Sequence, residues 1–170
     1  MAKVWLGLGS NLGDRERFIL DAIALLGKAA LRETRVSSLW ESKARYVTDQ
    51  PDFLNAAVSG QTDLTPAELL REVNRIEAAL GRDRSAVVAK GPRSIDIDIL
   101  LYGGRIIVEE GLLIPHPGIR ERKFVLLPLL ELDPELQDPV TGESFAALLA
   151  GLPPQGIYPY LRGGYDAPYP

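Results

Sequence analysis

Asp96 and Asp98 sit two residues apart in "RSIDIDILLYG", between Ile95, Ile97, Ile99, Leu100 and Leu101. In a strand, residues i and i+2 share a face, which sets the two carboxylates side by side with Cβ atoms roughly 6.5–7 Å apart. Adjacent carboxylates raise each other's pKa unless a cation sits between them, and a divalent metal is the natural one. A carboxylate pair with positions left over for other oxygens suits Mg²⁺ carrying substrate phosphates. Read alone, the pair could also be the wet face of an antiparallel sheet. The residues just upstream favour chemistry. Arg82, Arg84, Lys90 and Arg93 place four cations in twelve residues, in a loop broken by Gly91-Pro92. Arginine forks bind phosphate oxygens bidentately. A cationic loop beside a carboxylate pair is the combination from which metal–nucleotide sites for phosphoryl transfer are built.

The elements that must position these groups follow from periodicity. Residues 3–9 alternate as a strand, Asn11 to Asp14 supply turn and N-cap chemistry, and Phe18, Ile19, Ala22, Ile23, Leu25 and Leu26 recur at helical spacing up to Gly27. Residues 34–42 and 53–62 read as two further strands, separated by DQPD at 49–52. Thr65, Pro66 and Glu68 form a capping-box start for a second helix, whose apolar face is Leu69, Leu70, Val73, Ile76 and Leu80 and which Gly81 ends. The strand bearing Asp96 and Asp98 is expected to turn through Gly103-Gly104 into a hairpin with RIIVEE. Short helical pieces follow near 124–132 and 143–150. The order strand, helix, strand, strand, helix, strand gives an α+β, ferredoxin-like fold: an antiparallel sheet with helices packed on one face, plus the extra hairpin and an irregular C-terminal region. Residues 1–151 read as a single catalytic domain. The Pro/Gly/Tyr-rich tail 152–170 reads as no regular element, being either an extended segment packed by its tyrosines or a loose end.

Composition narrows the class. The chain has 170 residues, no cysteine and one histidine, His116, so thiolate sites and a multi-histidine zinc site within one chain are excluded. A net charge of −4 argues against nucleic acid as partner. No apolar run approaches the ~20 residues needed to span a bilayer, and the N-terminus lacks signal-peptide features, so a cytoplasmic location with no membrane partner is expected. Gly7, Gly9 and Gly13 resemble a dinucleotide fingerprint, but no alternating βα units follow, and a glycine turn that lets backbone approach a ligand is the preferred reading.

The stretch "GRDRSAVVAKGPRSIDIDILLYG" resembles the 6-hydroxymethyl-7,8-dihydropterin pyrophosphokinase family, whose signature G-P-R-[ST]-x-D-[IL]-D-I-[LM] is matched at every position from Gly91 to Leu100. "LGLGSNLGD", "DQPDFLNAAV", "RIEAALGRDR" and "IPHPGIRERKFVLLPLLEL" agree in order. The resemblance implies a ferredoxin-like enzyme that transfers diphosphate from ATP to the hydroxymethyl group of the pterin, giving AMP in folate biosynthesis, with two Mg²⁺ ions on Asp96 and Asp98. It implies that Arg82 and Arg93 act in catalysis, and that Glu77, Arg84, Lys90, His116 and Arg122 contact ATP. It also implies that Gly9, Ser42, Phe53, Asn55 and Phe124 form the pterin site. The partners expected are the two small-molecule substrates, with the protein a monomer. Two departures stand out: Ala89-Lys90 where many members carry an aromatic before Gly-Pro-Arg, and Ser42-Lys43-Ala44 where Thr-x-Pro is common. The competing reading is a non-catalytic ferredoxin-like module that binds a nucleotide or small ligand.

Overall fold

Alternation in the first strand assigns the two faces of the sheet. In a computed structural model that describes residues 1–44, 49–81 and 94–161, β1 (Ala2–Ser10) buries Val4, Leu6 and Leu8 on one face. These meet Ile19, Ala22 and Leu26 of α1 (Arg15–Ala29) and Leu69, Val73 and Ile76 of α2 (Pro66–Ala79) in the larger of two cores. Both helices start where their caps predict. The Asp14 side chain accepts from Arg17 N–H, and Thr65 and Glu68 exchange the two bonds of a capping box ahead of Pro66. Helix α1 runs two residues past Gly27, which faces open space and therefore costs only its intrinsic propensity.

The stretch read as one strand over 34–42 is two, β2 (Arg32–Val36) and β3 (Trp40–Ser42), with Ser37, Ser38 and Leu39 between them. Both pair with β4 (Phe53–Thr62), which matches the expected range. Strand β5 (Asp96–Tyr102) flanks β1 on its other side, so the sheet runs β5-β1-β4-β3 with β2 also on β4. Every pairing is antiparallel, and the helix-bearing connections match the ferredoxin-like order.

Three expectations need correction. The strand after Gly103-Gly104 does not pair with β5. Instead β6 (Ile107–Glu109) pairs with β7 (Leu112–Ile114) as a separate hairpin, turned by Gly111 at φ +74°. The reason lies on β5, whose outer backbone is already engaged: Ile97 N–H donates to the Glu77 carboxylate and Leu100 C=O accepts from His116 N–H. Helices also cover more than one face. Helix α3 (Lys123–Leu132) and α4 (Phe145–Gly151) bury Val125, Leu126, Leu129 and Phe145 against Trp5, Leu100 and Leu101 on the opposite side of the sheet. Finally, the tail read as having no regular element contributes a short strand, β8 (Ile157–Pro159), paired antiparallel with β3. Of the described helices, none is long and apolar enough to cross a membrane.

One buried charge organises the connection into α4. Arg120 donates through Nη1 to Asp138 and through Nη2 to Glu143 at 2.8 Å, and Asp138 also accepts from Val140 N–H at 2.8 Å. Burial pushes the Asp138 carboxyl up, but Val140 N–H and Arg120 outweigh it and hold the group below the usual aspartate range. Its contribution to stability is therefore intact above the ordinary aspartate pKa and is lost as pH falls through the lower folded value. Asp138→Ala leaves Arg120 Nη1 and Val140 N–H without this acceptor and should cost about 2–3 kcal/mol in urea unfolding at neutral pH. The gap from wild type should narrow on acidification.

Candidate active site

A β-bulge divides β5 into a wet and a dry half. Trp5 pairs with Leu101 and Leu6 with Ile99, so Leu100 is an extra residue in the ladder. Before the bulge, Ile97 and Ile99 enter the larger core while Asp96 and Asp98 take the other face. At the bulge, Leu100 and Leu101 both turn to the second core, under α3 and α4. The carboxylates are thus confined to the half of the sheet that these helices leave open. Opposite Asp96 stands Gly9 and opposite Asp98 stands Gly7. No side chain from β1 crowds either carboxylate.

The cavity over this face, about 870 Å³, is lined by Gly9, Ser42, Phe53, Asn55, Glu77, Asp96, Asp98, His116, Arg122 and Phe124. Every expected site residue that falls among the described residues therefore reaches one cavity. Arg82, Arg84, Lys90 and Arg93 lie outside the described residues, as do Ala89 and the rest of that loop.

At one end, Asn55 is 4% exposed. Its Nδ2 group donates to Ser42 Oγ at 2.8 Å, with Trp40 C=O at 3.2 Å and Phe53 C=O at 3.4 Å also in range. The amide nitrogen is thus committed inward, which fixes the side-chain orientation and sets Oδ1 on the Gly9 side of the cavity. A Cβ on Gly9 would meet Asn55 Oδ1 at 3.6 Å and Phe53 Cδ1 at 3.7 Å, so the glycine keeps the floor open between the amide and the ring. Phe53 and Phe124 are both half-buried and present ring surface to the cavity. This end is an aromatic slot in the sense that Phe53 and Phe124 line it, with a fixed amide beside them.

The segment 50–52 beside the cavity is tied to the end of β1 and to α1. Asn11, buried at the end of β1, donates to Gln50 Oε1 and Pro51 C=O, and Arg15 Nη1 donates to Asp52 C=O at 2.8 Å. Lys43 pairs with Asp52 at 3.0 Å, which raises the lysine pKa.

At the other end, His116 stands beside the carboxylates, with Nε2 3.6 Å from Asp98 Oδ1. Its Nδ1 accepts from Gly118 N–H at 3.0 Å, so in the neutral ring the proton is on Nε2, facing Asp98 and the cavity. Burial lowers the imidazole pKa, the Arg122 guanidinium lowers it further, and Asp96 opposes them. The ring is therefore neutral at ordinary pH and acts as an N–H donor. The Arg122 guanidinium lies 5.9 Å from the centre of the Phe124 ring. Glu77 is 1% exposed and holds Ile97 N–H at 2.8 Å, so it fixes from α2 the residue between the two aspartates.

The oxygen-donor set fits a hard divalent cation. Two half-exposed carboxylates share one face with glycine opposite each, and no cluster of three or more His, Asp or Glu is assembled for metal among the described residues. Magnesium bound together with a polyphosphate uses one or two carboxylates rather than an all-protein cage. Lining residues beyond those expected from sequence include Lys43, Gln50, Leu70, Asn74, Glu109 and Leu112. Asn74 carried a usable signal, since it precedes Glu77 by three residues on the same helical face.

Fold and cavity together define an α+β enzyme-like domain of ferredoxin-like topology, with an acidic pair at one end of a cleft and an amide-edged aromatic slot at the other. The family model for 7,8-dihydro-6-hydroxymethylpterin-pyrophosphokinase matches residues 5–134, and the chain belongs to that family. It is 44% identical over 158 residues to the 2-amino-4-hydroxy-6-hydroxymethyldihydropteridine pyrophosphokinase of Methylorubrum extorquens, covering 92% of this chain and 98% of that one. It is 48% identical over 158 residues to the folic acid synthesis protein fol1 of Pneumocystis carinii, covering 93% of this chain but only 21% of that longer protein. The chain thus spans about a fifth of the length of the fungal relative. A crystal structure of Plasmodium falciparum HPPK-DHPS superposes with a TM-score of 0.71 at 16% identity, over 88% of this chain and 45% of that one, which establishes the shared fold.

Proposed function

We propose that this chain transfers the terminal diphosphate of ATP to the hydroxymethyl oxygen of 6-hydroxymethyl-7,8-dihydropterin. The observation that carries the reading is the single cavity joining the Asp96/Asp98 pair and His116/Arg122 to the Phe53/Asn55/Phe124 slot. Its volume of about 870 Å³ lies near the top of the ~300–1,000 Å³ range of small-molecule sites, as two co-substrates require.

The pterin binds between the Phe53 and Phe124 rings over Gly9, and its hydrogen-bonding edge is read by Asn55 Oδ1 with Ser42 fixing the amide. This places the hydroxymethyl arm toward the carboxylate pair. ATP occupies the opposite end, where His116 donates its Nε2–H to a phosphate oxygen, Arg122 adds positive charge, and Glu77 and Asn74 lie toward the nucleoside. Arg82, Arg84, Lys90 and Arg93 are assigned to the phosphates, with Arg82 and Arg93 countering the charge that develops during transfer. Asp96 and Asp98 would hold two Mg²⁺ ions, which when bound supply Lewis acidity at the hydroxyl and neutralise phosphate charge.

The hydroxymethyl oxygen forms a bond to the β-phosphorus as the bond from that phosphorus to the α,β-bridging oxygen breaks. AMP leaves and the hydroxyl proton passes to solvent. The chain's part is positioning and electrostatics, as in other phosphoryl transfers.

A coupled AMP-release assay with ATP, Mg²⁺ and the pterin tests this. AMP should form only when all three are present. ADP as product would make the chain an ordinary kinase, and tight ATP binding with no nucleotide product would make it a binding module.

A further inference from the structure

Helix α3 lacks a capping side chain of its own. Its N-cap is Arg122, extended at φ −116° and ψ 104°, with no side-chain capping bond. The missing cap comes from residue 155, beyond the residues that the family model matches. Gln155 Oε1 accepts from Lys123 N–H at 2.9 Å, and Gln155 Nε2 donates to Glu121 C=O at 2.9 Å. One amide therefore grips the peptide groups on either side of Arg122. On the helix side, Arg122 C=O accepts from Val125 N–H and Leu126 N–H at 3.0 Å each, whereas the bond behind it, Glu121 N–H to Gly118 C=O, is long at 3.5 Å.

The side chain is seated as specifically as the backbone. A Cβ on Gly118 would fall 2.5 Å from Arg122 Cζ, so the guanidinium lies in the space where any other residue would have a side chain. Gly118 itself has ordinary helical dihedrals, and the need for glycine there is one of room.

The segment that delivers Gln155 is anchored on the far wall of the cavity. Gly156 C=O accepts from Lys43 N–H at 3.2 Å, β8 pairs with β3 from Trp40 to Ser42, and Tyr160 N–H donates to Leu39 C=O at 3.0 Å. Tyr160 packs against the larger core and lies 6.0 Å from the Arg15 guanidinium. Residues 155–160 thus strap the Arg122 wall to the Ser42 wall.

We infer that Gln155 is a positioning residue for the co-substrate site: by clamping Glu121 C=O and Lys123 N–H it fixes the backbone of Arg122, and so the guanidinium that lies over Gly118. The inference rests on the reading of Arg122 as an ATP contact.

Steady-state kinetics and binding of a non-hydrolysable ATP analogue with Mg²⁺ test it on Gln155→Ala, Gln155→Asn, Arg122→Ala and the Gln155→Ala/Arg122→Ala double variant. In Gln155→Ala, KM for ATP and Kd for the analogue should rise about fivefold while kcat stays within about twofold. Gln155→Asn is one methylene too short to bridge both groups and should behave alike. Hydrogen exchange at the Lys123 amide should quicken in both. Adding Gln155→Ala to Arg122→Ala should produce no further loss of ATP affinity. Unchanged ATP affinity in both Gln155 variants, or full additivity in the double variant, overturns the inference and leaves the role of Arg122 standing. Unchanged ATP affinity in Arg122→Ala overturns the assignment of Arg122 itself and the inference with it.

Discussion

Asp98→Ala should lower kcat by at least about 10³-fold with little change in thermal stability. Asp98 sits on the open half of an edge strand with its side chain about 36% exposed, so its removal creates no cavity. What it removes is half of the donor set facing the cavity and the carboxylate beside His116 Nε2. Asp98→Asn keeps the shape and deletes only the charge, and it should lose nearly as much. Parallel turnover and melting measurements on both variants decide the matter. Unimpaired turnover in either would sink the assignment of a metal to this pair, whereas a loss of activity matched by a collapsed melting temperature would mean that the aspartate serves the fold.

Asn55→Ala should reduce kcat/KM for the pterin by about 10²-fold while leaving KM for ATP within a few-fold. A site organised around a buried amide loses more than one hydrogen bond when that amide goes, because the groups that oriented it lose their partner too. Ser42 Oγ and the Trp40 carbonyl are those groups. A stability cost of about 1–2 kcal/mol should accompany the kinetic loss. Varying pterin at saturating ATP, and then the reverse, separates the effects. Equal rises in both Michaelis constants would place Asn55 in general support of the cavity.

Legibility followed how local each signal was. Asp96, Asp98, Asn55 and Phe53 sit on strands whose period-2 pattern could be read directly, and the structure puts them on the cavity face. The capping box at Thr65 placed the start of α2 to the residue, whereas Glu77 was singled out only by the family resemblance. Features that depend on a distant partner were harder to read. The bulge at Leu100 shows only when β1 is laid beside β5, since the apolar run 99–101 looks continuous in either case. Strand β8 has no periodicity of its own and exists because β3 offers an edge. The RIIVEE hairpin failed as a partner of β5 because a side chain from α2 and a backbone amide from the His116 loop reach that edge first. Lys43 and Gln50 join the cavity through loop packing around Asn11 and Asp52, which no spacing rule encodes.

The Glu77 bond to Ile97 N–H reaches past the chemistry of the cavity. Strand β5 ends the sheet, and a terminal strand with free amides and carbonyls is a template onto which another chain can grow. Here the amide at 97 is taken by a carboxylate and the carbonyl at 100 by the backbone of His116. The acidic side chains of Asp96 and Asp98 flank the capped amide and would repel an incoming copy of the same strand. The residues proposed to receive a charged co-substrate therefore also cap this edge, and Glu77→Ala is the substitution that should make concentrated solutions of this protein prone to edge-to-edge aggregation.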